Sequence, residues 1–251
     1  MQRLTGKVAI VTASSYGIGF AIAKRLAEEG ACVTICSRDA ANVNRALERL
    51  RESTFNVLGI QCHVANASQR KRLFDETIQR FGRLDILVSN AATNPAVKPI
   101  LDCEESAWDK IFEVNVKSSF FLVKEALPYM RKQGAGGSVV IVSSIVGYDP
   151  PKNLGAYSVS KTALLGLTKA ASKQLSKEGI RVNCIAPGII ETRFSSSLIR
   201  EKGGKALRAI AMGRFGKPDE LAGVVAFLVS DDASYITGET IVAGGGLASR
   251  L

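Results

Sequence analysis

Thr12-Ala13-Ser14-Ser15-Tyr16-Gly17-Ile18-Gly19 follows directly on the apolar run Val8-Ala9-Ile10-Val11. It leads into residues 19–29, where Ile22, Ala23, Leu26 and Ala27 fall on one helical face. A strand, a turn of small residues and a helix, in that order, open a doubly wound α/β sheet. Such a turn holds a pyrophosphate on backbone N–H groups and a helix N-terminus, and a Cβ in the wrong place would keep the phosphate away. Ala13 stands where the turn usually begins with glycine, and the turn tolerates it provided that Ala13 keeps a negative φ. The hydroxyls of Ser14 and Ser15 are available as donors to phosphate. A lone glycine pair would serve an ordinary tight turn equally well; its place between strand and helix carries the reading.

The rest of the chain repeats this alternation. Apolar strands are predicted at 8–12, 32–36, 57–62, 84–88, 138–142, 180–185 and 240–242. Helices are predicted at 19–29, through Val43, Leu47 and Leu50, and at 68–81, 106–132, 157–177 and 222–229, with Pro128 expected to bend or shorten the longest. Strands that are apolar throughout and separated by helices describe a parallel sheet covered on both faces. With no linker and no repeat, residues 1–251 read as a single-domain, Rossmann-type doubly wound α/β fold of seven mainly parallel strands. Residues 194–216 interrupt the alternation, so a lid-like insertion is expected at about 191–216.

Composition narrows the classes. The chain has 251 residues, 46% of them hydrophobic, and a net charge of +10. Its basic residues are dispersed along helical patterns, denser only from Arg200 to Arg208, and no basic run is interleaved with aromatics; nucleic acid is not an expected partner. His63 is the single histidine and the five cysteines are scattered, which leaves no basis for a metal site or a disulfide framework. No apolar stretch approaches the roughly 20 residues of a membrane span, and residues 1–6 lack the apolar core of a secretory signal.

The second strand tells which nucleotide is expected. It ends Cys36-Ser37-Arg38-Asp39, with Ser37 where an NAD-selective acid would stand. A hydroxyl and a planar guanidinium suit a 2′-phosphate, and Asp39 fits better as the N-cap of the next helix. NADP(H) is therefore the expected cofactor. The third strand ends Cys62-His63-Val64, beside the expected adenine. His63 could bond or stack there, or be an ordinary strand-end histidine, while Val64 would contribute backbone.

Tyr157-Ser158-Val159-Ser160-Lys161 places a phenol and an ammonium at i and i+4 on one helix face. A free tyrosine titrates near 10, and a neighbouring cation is expected to stabilise its phenolate. Ser143-Ser144, at the end of the fifth strand, offers a hydroxyl to a substrate oxygen. Strand alternation lets only one of the two face the site.

These motifs together resemble the short-chain dehydrogenase/reductase family, over essentially the whole chain. Thr12 to Gly19 resembles its TGxxxGxG loop with alanine at the first glycine, Ser89-Asn90-Ala91-Ala92 its NNAG stretch, and Pro187-Gly188 its PG motif. The family's thirteen-residue spacing to tyrosine selects Ser144. The resemblance implies catalysis by Asn115, Ser144, Tyr157 and Lys161, with Asn115 holding a water that links the lysine to solvent. It implies cofactor contacts from Ser14, Tyr16, Gly17, Ile18, Gly19, Ser37, Arg38, His63, Val64, Asn90, Ala91, Tyr157, Lys161, Pro187, Gly188, Ile190 and Thr192. Ile145, Val146, Leu154, Phe194 and Leu198 are positional candidates for the substrate pocket.

Residues 88–95, 233–240 and the chain end resemble a branch of that family that reduces ketones, α-dicarbonyls and retinal with NADPH in peroxisomes. That branch implies a homotetramer built on the long helix and the Tyr157 helix. Ser249-Arg250-Leu251 is close to the SKL address read by the peroxisomal import receptor, with the cytoplasm as the alternative location. The rival functions are a 3-oxoacyl or 2-enoyl thioester reductase and a non-catalytic NADP(H)-binding sensor.

Overall fold

The structure is a computed structural model that describes residues 2–52, 55–134 and 136–248. Among these residues one sheet is built from β1 (Val8–Val11), β2 (Cys32–Ser37), β3 (Val57–Gln61), β4 (Ile86–Ser89), β5 (Gly137–Val142), β6 (Ile180–Pro187) and β7 (Thr240–Ala243). Their order is β3-β2-β1-β4-β5-β6-β7, and every pairing is parallel. The helices are α1 (Gly17–Glu28), α2 (Ala40–Arg51), α3 (Ala67–Phe81), α4 (Glu105–Phe112), α5 (Ser118–Lys132), α6 (Gly155–Leu175), α7 (Ser196–Ala209) and α8 (Pro218–Val229). The sheet grows outward in both directions from β1 and β4, so the switch point of the winding lies at their carboxyl ends, where such folds bind ligands.

Strand alternation feeds two cores. Ala9, Val11, Val33, Ile35, Ile86, Val88, Val140 and Val142 face one layer, where Ile22 and Leu26 of α1, Val43 and Leu47 of α2 and Val225 of α8 pack. Ile10, Cys36, Leu87, Val139 and Ile141 face the other, against Leu73 and Phe74 of α3, Leu122 and Ala126 of α5 and Leu164 of α6. Both faces are covered, which is why apolar residues dominate both faces of the strands. Asp39 caps α2 by accepting from Asn42 N at 2.9 Å, the role expected of it.

Two expectations are corrected. The predicted helix 106–132 is α4 and α5 joined by a π turn, Glu113–Lys117, and Pro128 sits inside α5 without ending it. The irregularity is at Asn115 instead, because the wider turn lets this fully buried amide bond Thr93 and Ser160. The interruption at 194–216 contains a helix, α7, that its polar residues and the central Gly203-Gly204 pair concealed. The base of this segment is closed by the Ile190–Gly216 bridge, with Glu191 N donating to Gly216 O (2.9 Å) and Gly216 N to Ile189 O (3.0 Å).

Candidate active site

The β1–α1 turn is held from several sides. Ser14 N donates to Cys36 O (3.0 Å), Ser14 Oγ donates to Val11 O (2.6 Å), and Cys36 N donates to Ser14 Oγ (3.1 Å). Asn90 Nδ2 donates to Thr12 O (3.0 Å) and Ala13 O (3.1 Å). Within this frame Ala13 adopts φ +49°, the only non-glycine residue with positive φ among the described residues. The expected negative φ is thus overturned: the surrounding bonds outweigh the roughly 1–2 kcal/mol that the left-handed region costs alanine. The serine reading is corrected as well, since the buried Ser14 hydroxyl joins β1 to β2 and does not face the turn's open side. Gly17 has φ +56°, and a Cβ at Gly19 would lie 2.5 Å from both Ala13 O and Asn90 Nδ2, so side chains are excluded where the loop meets α1.

Across the cleft, β5 delivers two serines with different tasks. Ser143 is buried and donates to Lys161 O at 2.7 Å. Ser144 is half-buried; its Oγ accepts from Val146 N at 3.4 Å, which leaves its proton free for a ligand. Tyr157 and Lys161 lie one turn apart on α6, with Lys161 Nζ 5.5 Å from the Tyr157 ring centre. The ammonium donates to Val142 O at 2.9 Å. Burial lowers the lysine's pKa to about 8 and raises the tyrosine's. Desolvation alone raises the tyrosine, while the lysine is seated on a backbone carbonyl; stabilisation of the phenolate calls on the oxidised nicotinamide as well as on Lys161.

Asn115 braces this arrangement. Its Oδ1 accepts from Thr93 N (2.8 Å), and its Nδ2 donates to Thr93 O (3.1 Å) and Ser160 Oγ (3.0 Å). Ser160 Oγ in turn donates to Tyr157 O at 2.6 Å. The amide is fully engaged and bonds no atom of Lys161.

A cleft of about 560 Å³ runs from the turn to these groups. Tyr16, Gly17, Ile18, Gly19, Arg38, Asn90, Ser144, Tyr157, Lys161, Pro187, Gly188, Ile190 and Thr192 line it as anticipated, together with the pocket residues Ile145, Val146, Leu154, Phe194 and Leu198. Ser14, Ser37, His63, Val64, Ala91 and Asn115 are not on its wall. His63 Nδ1 accepts from Ala65 N at 3.2 Å and shapes its own turn, Val64 is buried with its carbonyl on Arg70, and Ala91 is buried in the core while Ala92 takes the wall position. Ser37 O accepts from Cys62 N at 2.8 Å at the sheet edge. Sequence reasoning missed Ala13, Ala92, Val142, Ser143, Ile189 and Arg193, and both serines reach the wall where strand alternation predicts only one. Arg193 follows Thr192 directly, yet only the fold shows that its guanidinium lies 4.0 Å over the Tyr16 ring.

A parallel sheet in this order, a small-residue turn at its switch point, and serine, tyrosine and lysine around one cleft define a nicotinamide-dependent oxidoreductase. The chain belongs to the short-chain dehydrogenase/reductase family, whose Rossmann fold binds a nicotinamide cofactor. Residues 12–248 match the family model described as enoyl-(acyl carrier protein) reductase. Among relatives, the chain is 51% identical to dehydrogenase/reductase SDR family member 4 of Mus musculus over 250 residues, 99% of this chain and 89% of that one. It is 50% identical to tropinone reductase-like 3 of Erythroxylum coca over 252 residues, 100% and 96% of the two chains. A crystal structure of a putative short-chain alcohol dehydrogenase from Sinorhizobium meliloti superposes with a TM-score of 0.91 at 33% identity, covering 97% of this chain and 96% of that one.

Proposed function

We propose that this oxidoreductase uses NADPH to reduce apolar carbonyl compounds (ketones, α-dicarbonyls and retinal) to alcohols. The observation that carries the reading is the convergence of Ser144, Tyr157 and Lys161 on a cleft whose far wall is Ile145, Val146, Leu154, Phe194 and Leu198. Arg38 supports the cofactor choice: it is exposed at the end of β2, lines the cleft, and its guanidinium has no hydrogen-bond or ion-pair partner among the described residues. Asp39, the rival acid, is engaged as a helix cap.

Bound NADPH supplies the hydride that reaches the carbonyl carbon. The free proton of Ser144 orients the substrate oxygen and steadies the charge that grows on it. Tyr157 protonates that oxygen, and its buried phenol keeps its proton until then. Lys161 restores the proton, while Asn115 positions α6 through Ser160. Residues 191–216 act as a lid, with Phe194 5.9 Å from the Tyr157 ring shielding the site from water.

A homotetramer belongs to the same reading. The surface of α4, α5 and α6 carries an open groove of about 810 Å³ in which Phe112, Val116, Phe120 and Leu167 lie among Asp109, Lys110, Glu113 and Lys117, and Phe120 is 47% exposed. Ser249-Arg250-Leu251, outside the described residues, would deliver the chain to peroxisomes through the import receptor; imaging the tagged chain with and without this tripeptide separates that location from the cytoplasm.

A second reading, reduction of acyl thioesters, is favoured by the description of the matching family model and by Arg200, Lys205 and Arg208 on α7. The test follows NADPH and NADH oxidation with an aromatic ketone, an α-diketone, retinal and an acetoacetyl thioester. Rapid NADPH-specific turnover of the free carbonyls is expected. Turnover confined to the thioester would overturn the carbonyl assignment, and tight NADPH binding without any turnover would favour a sensor.

A further inference from the structure

Outside the cleft, Tyr16 and Arg193 also border a second cavity of about 410 Å³, completed by Ser15, Arg45, Ala46 and Arg49. Its lining holds three guanidinium groups and no carboxylate. None of the three is ion-paired among the described residues. Several of the protein's other arginines are paired with acids, as in Arg3–Glu29, Arg70–Glu125, Arg131–Glu178 and Arg214–Glu220; here three unpaired guanidiniums share one cavity without a carboxylate.

Neighbouring side chains hold the three arginines in place. Arg193 lies 4.0 Å over the Tyr16 ring, and Arg49 lies 4.1 Å over the Phe20 ring, one helical turn further along α1. The Tyr16 hydroxyl donates to Asn42 Oδ1 at 2.8 Å, and Arg45 donates to the same oxygen. Tyr16 thus ties together the cofactor turn, α2 and the segment that begins at Arg193. Like charges gathered at one small cavity repel one another, and a dianion with several acceptor oxygens turns that repulsion into attraction. Planar guanidinium forks match the oxygens of a phosphate monoester. The cavity shares Tyr16 and Arg193 with the cofactor cleft, on whose wall Arg38 also lies.

We propose that Arg45 and Arg193 are specificity-determining residues that extend the Ser37-Arg38 site into a pocket for the cofactor's 2′-phosphate. Arg193 thereby fastens residues 191–216 to the bound dinucleotide, so that the phosphate, absent from NADH, governs closure of that segment. This rests on the NADPH reading above. Arg49, anchored on Phe20, contributes field more than direct contact.

The experiment measures Kd for NADPH, NADH, adenosine 2′,5′-bisphosphate and adenosine 3′,5′-bisphosphate, by fluorescence titration or calorimetry, in the full chain and its Arg45→Gln and Arg193→Gln variants. The parent chain should prefer NADPH. Each substitution should weaken NADPH and the 2′,5′-bisphosphate on the order of tenfold and leave NADH within about twofold, which also shows that the variants are folded. If the parent prefers NADPH but neither variant changes that preference, this inference falls and the cofactor reading stands. If the parent binds NADH and NADPH equally, the cofactor reading falls and takes this inference with it. If the variants lose only the 3′,5′-bisphosphate, the pocket serves a phosphate on another ligand and the inference is overturned.

Discussion

The two sides of the cleft are built differently. The turn at 12–19 is fixed by hydrogen bonds largely shielded from solvent: Val11 beside it and the remote Cys36 hold Ser14, and Asn90, remote as well, holds Thr12 and Ala13. Residues 191–216 are held by backbone bonds at only a few points, the Ile189–Gly216 contacts at their base and Met212 N donating to Gly245 O (3.0 Å), and near the cleft rest on side chains such as Phe194, 59% exposed, and Arg193 on Tyr16. A wall of interlocked backbone bonds opens only with large parts of the fold, whereas a wall of side-chain contacts on a closed base can open alone. The proposed chemistry is correspondingly placed on fixed elements, with Ser144 at the end of β5 and Tyr157 and Lys161 on α6.

If that division holds, the largest effect comes from the fixed side. Tyr157→Phe should lower kcat for a ketone by about 10³-fold while changing NADPH Kd by less than about twofold; steady-state kinetics beside a binding titration read both. Retained turnover would remove tyrosine from the mechanism.

Lys161 offers the next test. Its folded pKa of about 8 lies below the unfolded value of 10.5, so above about pH 8 the unfolded chain binds more protons than the folded one. Stability contributed by this group rises with pH between the two values, and below about 8 the buried ammonium is a standing penalty. Lys161→Met should remove that penalty, raising stability at pH 7 by about 2 kcal/mol while abolishing activity. Thermal unfolding of both proteins from pH 6 to 10 checks the sign: the gain should shrink as pH rises through 8. In the parent enzyme, carbonyl reduction should decline above pH 8 as Lys161 loses the proton that it relays.

The side closed by side chains predicts a smaller effect of another kind. Phe194→Ala should raise KM for an apolar ketone about fivefold with Tm unchanged, and a fall in Tm would show that this wall is part of the fixed frame. The smallest effect belongs to Ala13→Gly. It relieves a left-handed alanine but loosens the unfolded chain, for a net gain of about 0.5 kcal/mol measurable by urea unfolding.

Much of this was legible along the chain, because strand and helix periodicities are local. The order of elements, the turn at the end of β1, the Tyr157–Lys161 spacing and the capping role of Asp39 follow from neighbours within a few residues. What escaped the sequence depends on partners far away. Ser14 reads as a phosphate donor until Val11 O and Cys36 N are seen to occupy its hydroxyl. Ala91 and Ala92 are indistinguishable until the core claims one and the cleft the other. The π turn at Asn115 exists because Thr93 and Ser160 receive its amide, and no 3.6-residue pattern announces it. In α7 the Gly203-Gly204 pair weakens local helix propensity, so along the chain the segment registers only as an interruption of the alternation.

The amino-acid order alone therefore determined the doubly wound architecture and the residue types of the chemistry, since both rest on short-range periodicity and spacing. Tertiary structure decided the φ of Ala13, that the Ser143 hydroxyl is spent on Lys161 O while Ser144 keeps its proton free, the charge state favoured at Lys161, and the meeting of Arg45, Arg49 and Arg193. Each of these depends on desolvation, steric confinement or hydrogen bonds between segments tens of residues apart, and only the folded chain brings those segments within reach of one another.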